Sequence, residues 1–257
     1  MASQVIKQRL FGFSGGFTYP FSSFRFIRSH PVLYKFIIMP LLINLSVFSS
    51  VIYYGFNFFQ NAILARIPQG DAWYWFLLNY FLVALGILLT LVLVFFSFAV
   101  VGSLIASPFN DILSERTELL LRGEISEEPF SWALFIKDAA RTLTTESKKI
   151  SLFILGMLLL LLLNLIPGIG SMLYSVLSFL WTVFFLIVEY NGYVFSRKRL
   201  TFAEQRRVIL DRFSMMFGFG VGVFCILAIP FLQFLSIPLG VVGATRMIYD
   251  AKLIEEL

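Results

Sequence analysis

The sequence predicts an all-α polytopic membrane protein with two long transmembrane helices, two helical hairpins that either span or half-insert, and amphipathic interfacial helices. Three observations predict it. Of the 257 residues 59% are hydrophobic and 14% charged, and the mean hydropathy of +0.86 exceeds that of soluble domains, so much of the apolar surface needs lipid around it. Apolar runs recur along the chain, several of them near the roughly 20 residues that a spanning helix requires. Every Lys and Arg except Arg66 lies on one side of the alternation these runs define. By the positive-inside rule that side, with both termini, is cytoplasmic, and the loops near Pro68, Gly168 and Ser236 lie opposite.

The whole chain reads as a single membrane domain. Residues 1–35 form its N-terminal interfacial part. They lack a continuous apolar core and a small-residue cleavage site, so no signal peptide is expected and the first apolar run stays. Phe17, Phe21, Phe24 and Ile27 recur at helical spacing, with Thr18, Ser22, Arg25 and Arg28 on the other face. That pattern predicts an amphipathic helix lying on membrane lipids.

Residues 36–106 hold the long helix pair, Phe36 to Phe59 and Ala72 to Ala106. As one helix the second run would be about 52 Å long, against a hydrocarbon core of about 30 Å. It must tilt, kink or project into the cytoplasm. Gly102 and Ala106 are four apart and permit close helix approach.

Residues 107–149 are expected to be cytoplasmic helices. In "SPFNDILSERTELLLRG" Ser107 is a predicted cap, with Pro108 at the first helical position and Asp111 near the positive end of the dipole. Gly123 is the stop signal. Phe109, Ile112, Leu113, Leu119 and Leu120 supply the apolar face, and Glu115 and Arg116 are available for ion pairing. After the acidic turn "EISEEPF", a second amphipathic stretch uses Trp132, Phe135, Ile136, Ala139 and Leu143.

The first hairpin, residues 150–195, turns at "PGIG", Pro167 to Gly170. A basic loop, 196–212, leads to a second hairpin and tail, 213–257, which turns around Pro230 to Pro238. Gly218 and Gly222 again allow close packing. Both hairpins return to the side they left, so charge does not separate full spanning from half-insertion.

The chemistry is bounded by what is scarce. His30 and Cys225 are the sole histidine and cysteine, which excludes an intrachain disulfide and argues against a zinc or iron site. No G-x-x-x-x-G-K-[ST] loop occurs, and one histidine cannot build hydrolase machinery. No enzyme activity, cofactor or metal is expected. The basic charge follows the edges of the apolar runs, which does not fit nucleic-acid binding.

Two places carry a candidate function. In "RSHPVLYKF" Ser29 or His30 caps a helix, Pro31 takes its first position, and Val32, Leu33 and Tyr34 offer backbone N–H groups, with Arg28 and Lys35 adding charge. Such a helix start attracts anions; equally, Arg25, Arg28 and Lys35 serve as anchors to lipid phosphates. Glu189 sits inside an apolar run, where a carboxylate costs about 2.5–3.5 kcal/mol. It is either a site of ion coupling or is satisfied by Arg197 or Lys198.

The run "ASPFNDILSERTE", Ala106 to Glu118, with "PLLINL", Pro40 to Leu45, and "IPFLQFLSIPLGVVGAT", Ile229 to Thr245, resembles the bacterial CysZ-type sulfate permeases and the wider etoposide-induced membrane protein family. The similarity runs in order from about Phe11 to Asp250. It implies an inner-membrane homo-oligomer with half-inserted hairpins, importing sulfate or a related oxyanion for assimilation into cysteine without an ATPase partner. Those permeases hold sulfate at a G-L-R-R-like motif, and the matching positions here are Val32, Leu33, Tyr34 and Lys35, where the leucine is identical. A lysine supplies charge but not the bidentate fork of arginine. Ser107, Pro108, Asn110 and Asp111 are expected to organise the cytoplasmic joint of the second long helix. The competing reading is a non-transporting scaffold that shapes the bilayer, like the distant eukaryotic relatives.

Overall fold

The computed structural model describes residues 12–58, 73–124, 132–230 and 232–253. Every regular element among them is helical: α1 Phe13–Ser29, a 3-10 turn Pro31–Leu33, α2 Tyr34–Phe58, α3 Trp73–Arg122, α4 Trp132–Leu161, a 3-10 turn Leu162–Leu165, α5 Gly170–Arg197, α6 Phe202–Asp211, α7 Phe213–Ala228 and α8 Gln233–Asp250. Four stretches among the described residues, Pro31–Gly55, Tyr74–Leu91, Ser147–Leu165 and Gly170–Arg197, are long and apolar enough to cross a membrane. The expectations for Lys7, Arg9, Arg66, Pro68 and most of "EISEEPF" lie outside the described residues, as do the side chains of Trp132, Phe135, Ile136, Ala139 and Leu143.

The chain divides into two compact units, Ile38–Ala106 and the combination of Met1–Ile37 with Ser107–Leu257. In the smaller unit, Leu41, Leu45, Ile52, Phe76, Leu77, Phe81 and Leu88 are exposed, as lipid-facing side chains are. Asn44 Nδ2 donates to the Gly102 carbonyl at 3.2 Å and joins the two helix legs. Tyr53 and Tyr54 at one leg's end, and Tyr74 and Trp75 at the start of the other, form adjacent aromatic pairs. Aromatic residues of this kind settle at the membrane–water boundary.

Helix α3 runs unbroken for 50 residues with Pro108 inside it. Ser107 and Pro108 therefore do not begin a helix, contrary to the sequence expectation. A proline inside a helix costs one backbone bond, and here the buried Phe109 and Leu113 beyond it keep the helix going. Gly123 does end it: at φ +72° it places its N–H on Leu120 and the next N–H, of Glu124, on Leu119. Those two bonds cap the terminal carbonyls.

The larger unit is organised around α7. Met215, Met216, Phe219, Val223 and Ile226 are all fully buried, so close packing against its neighbours holds this helix in place. Gly218 and Gly222 face α1, where an added Cβ would meet the Phe13 and Phe17 carbonyls, while Gly220 faces Val183 and Ile187 of α5. On α1, Gly16 lies against the Met215 carbonyl. The phenylalanine face expected to lie on lipid is left open, and of that set only Ile27 turns into the protein. Gly16, Tyr19, Pro20, Ser23 and Ile27 are buried, whereas Phe21 and Phe24 stay exposed. Small residues permit the protein contact and leave the phenylalanines outside.

The first hairpin turns where expected, with Gly168 at φ +83°. Gly156 makes room for the Trp181 ring, whose Nε1 donates to the Phe153 carbonyl at 3.3 Å. The second hairpin turns more tightly than expected, around Ile229–Leu232, and Pro238 lies within α8. Between the hairpins α6 begins with a Thr201–Glu204 capping box, and α6 meets α7 at 91°.

Candidate functional site

The segment joining α1 to α2 bends at His30, which has non-helical dihedrals and makes no side-chain cap. Ser29 Oγ and His30 Nδ1 instead reach the Phe26 carbonyl, each at 2.9 Å, so neither caps the next helix as expected. Pro31 does occupy the first position. The following turn is 3-10, and it uses two of the three amides thought open to an anion: Leu33 N–H bonds to His30 O at 3.0 Å and Tyr34 N–H to Pro31 O. Neither bond engages the Val32 amide.

Side chains divide the same segment. Leu33 is fully buried and acts as its anchor, while Val32 and Tyr34 are exposed. Arg28 and Lys35 are exposed too, and the Lys35 ammonium sits 4.9 Å from the centre of the Phe36 ring. The result is an open, cationic bend held in place by one leucine.

Glu189 has a partner, though not the one expected. Lys149 Nζ on α4 lies 3.1 Å from Glu189 Oε2, and Tyr193 donates to Oε1 at 3.1 Å. Asn110 Nδ2 reaches the Tyr193 hydroxyl at 3.4 Å, so a polar chain crosses α4, α5 and α3. Nearby residues of the expected joint are enclosed as well: Ser107 and Asn110 are buried, and Pro108 is buried with Asp111 half-buried.

Arg197 and Lys198, released from Glu189, converge on Glu118. Arg197 Nη2 lies 2.5 Å from Oε2, and Lys198 Nζ and Arg122 Nη2 each lie 2.6 Å from Oε1. Burial would raise the Glu118 pKa, but hydrogen bonds from Lys198 and Arg197 outweigh it and hold the carboxyl at about 2. Arg197 Nη1 also donates to Ser114 Oγ at 3.0 Å, and Ser114 shares a bond with Thr245. A cleft of about 110 Å³ beside Glu118 is lined by Arg122, Lys198, Thr245 and Lys252 together with the apolar Val194 and Ile248 and with Tyr249.

The sequence reading named Glu115 and Arg116 for ion pairing and missed Glu118. Helical spacing offered a signal in part, since Glu118 and Arg122 are four apart. Arg197, 79 positions away at the end of α5, and Lys198 just past it left none. Helices α1 and α8 make a separate polar contact: Tyr19 donates to Asp250 Oδ2 at 3.2 Å and Arg246 to Ser22 Oγ at 3.0 Å. Burial pushes the Asp250 carboxyl up despite the Arg246 charge.

Comparison with known proteins extends over most of this framework. A family model described as Sulfate transporter CysZ/Etoposide-induced protein 2.4 matches residues 19–238. A protein named Sulfate transporter CysZ from Pseudomonas paraeruginosa is 33% identical over 215 residues, covering 84% of this chain and 87% of its own. The protein of that name from Vibrio cholerae is 33% identical over 220 residues, covering 84% and 86%. That from Pectobacterium atrosepticum is 32% identical over 241 residues, covering 91% and 84%.

Proposed function

This chain belongs to the sulfate transporter CysZ/etoposide-induced protein 2.4 family, and from that premise we propose that it is a permease for sulfate or a closely similar small oxyanion. One observation carries the reading: relatives named as sulfate transporters align with 84% to 91% of the chain rather than with an isolated motif. Four stretches long and apolar enough to span a bilayer support it. The protein is a transporter and not an enzyme. It works in a bacterial inner membrane without ATP hydrolysis, as a homo-oligomer with both termini cytoplasmic, and supplies sulfate for assimilation into cysteine.

The anion is met first at the bend between α1 and α2. Arg28 and Lys35 provide charge on an exposed surface, the Val32 amide provides a donor, and Leu33 fixes the segment from beneath, with Tyr34 beside it. Lysine and arginine there recognise an oxyanion mainly by charge. Ser107, Pro108, Asn110 and Asp111 organise the middle of α3, supported by the Asn110–Tyr193 bond. The test is uptake of labelled sulfate into liposomes containing the purified protein. Uptake above protein-free liposomes is expected, and uptake equal to theirs overturns the proposal in favour of a non-transporting membrane scaffold.

A further inference from the structure

The Glu118 carboxylate receives the coordination that a free oxyanion would seek. Three cations, Arg122, Arg197 and Lys198, lie within 2.6 Å of its two oxygens. Three positive charges against one negative leave an excess of two among these four side chains, and Lys252 lines the same cleft. Charge of this sign beside a cleft draws anions toward it. The space is adequate: about 10–15 Å³ of such volume holds one water, and the cleft offers about 110 Å³.

The three cations are not held alike. Arg197, with its side chain 20% exposed, is fixed by a second bond to Ser114. Arg122 and Lys198 are 42% and 32% exposed and line the cleft. Arg197 is therefore able to keep Glu118 in place while the other two turn to a ligand.

We propose that this cleft is an oxyanion station distinct from the Arg28–Lys35 bend, and that Glu118 is a tethered stand-in anion which an arriving tetrahedral oxyanion displaces from Arg122 and Lys198. The exchange is anion for anion. Glu118 stays ionised near neutral pH, since its carboxyl is held at about 2, so it does not clear the site by taking a proton. A dianion with four acceptor oxygens offers each cation more than one carboxylate shared among three, which favours sulfate over chloride. The inference rests on the oxyanion-permease reading for the choice of ligand, but it concerns binding, which is measured apart from uptake.

The experiment is equilibrium binding of labelled sulfate to the purified full chain in detergent, with chloride as competitor. To remove the first site, all variants carry Arg28→Ala and Lys35→Ala. The background protein is expected to keep one saturable sulfate site that chloride displaces poorly. Glu118→Gln, which removes the competing charge, is expected to tighten that site by about tenfold or more, the scale of one unit charge at contact distance. Lys252→Gln is expected to weaken it severalfold. Loss of saturable binding in the background protein overturns the proposal, as does unchanged or weaker affinity in a folded Glu118→Gln. If Glu118→Gln does not fold, unchanged affinity in Lys252→Gln overturns it. Failed uptake by wild type with tightened binding in Glu118→Gln would sink the permease reading and leave the station standing; the reverse pattern would do the opposite.

Discussion

Thr245 Oγ1 and Ser114 Oγ lie 2.9 Å apart although 131 positions separate them in the chain. They belong to two of the three stretches on which the family resemblance rests. Their bond fixes α8 against α3, and through Arg197 it also holds the end of α5. Those two stretches are thus joined in one polar clamp inside a mostly apolar unit.

Removing either hydroxyl is predicted to cost about 0.5–1.5 kcal/mol, the net worth of a buried hydrogen bond. Ser114→Ala and Thr245→Val, measured by thermal unfolding in detergent, are expected to lower stability by that amount each. The double variant should lose less than the sum, since both remove the same bond. Strict additivity would show that the two hydroxyls act separately.

Glu118 predicts a pH dependence with a definite sign. Its carboxyl sits at about 2 when folded, below the ordinary 4.5. A lowered value means that the stabilisation is present above the ordinary value and is lost as pH falls toward the folded one. Melting temperature should therefore drop between about pH 4.5 and about pH 2 in wild type and change less in Glu118→Gln. An equal drop in both would remove Glu118 from the explanation.

Close backbone approach between α1 and α7 predicts steric sensitivity. Gly16→Ala and Gly218→Ala place a methyl against the Met215 and Phe13 carbonyls, and overpacking of this kind costs about 1–3 kcal/mol or more. Gly55→Ala is the control, because nothing stands within 4 Å of its Cβ position. Equal melting temperatures for all three variants would contradict the packing.

The Lys149–Glu189 pair accounts for a carboxylate in an apolar run. Lys149→Ala, which leaves the carboxylate with Tyr193 alone, is predicted to destabilise by about 1.5–3 kcal/mol, the worth of a hydrogen bond to a charged group, and Glu189→Gln to leave the pH profile of sulfate uptake unchanged. A flattened profile would assign Glu189 to proton coupling instead.

Much of this fold is legible in the sequence. The apolar runs, the Pro167–Gly170 turn, the Gly123 stop and the Gly218–Gly222 pair are local signals, each set by a few adjacent residues, and the fold keeps them. What misled were residues with two valid local readings. Ser107-Pro108 is a good helix start, yet the apolar surface on both sides of it favours one long helix. On α1 the phenylalanine pattern marked the open face, and only Ile27 of that set is buried against protein. The Glu118 cluster was least legible, because Arg197 and Lys198 come to it from another helix and no periodicity announces them.

The central claim is that the α1–α2 bend admits sulfate to this chain. Its most direct test is initial-rate uptake of labelled sulfate into liposomes containing wild type, Arg28→Ala, Lys35→Ala or the double variant, each reconstituted to equal density and checked for folding. Wild type should transport above protein-free liposomes, with the single variants slower and the double variant slowest, at roughly a tenth of the rate or less for two lost charge-assisted contacts. Wild-type rates in the double variant would contradict the account.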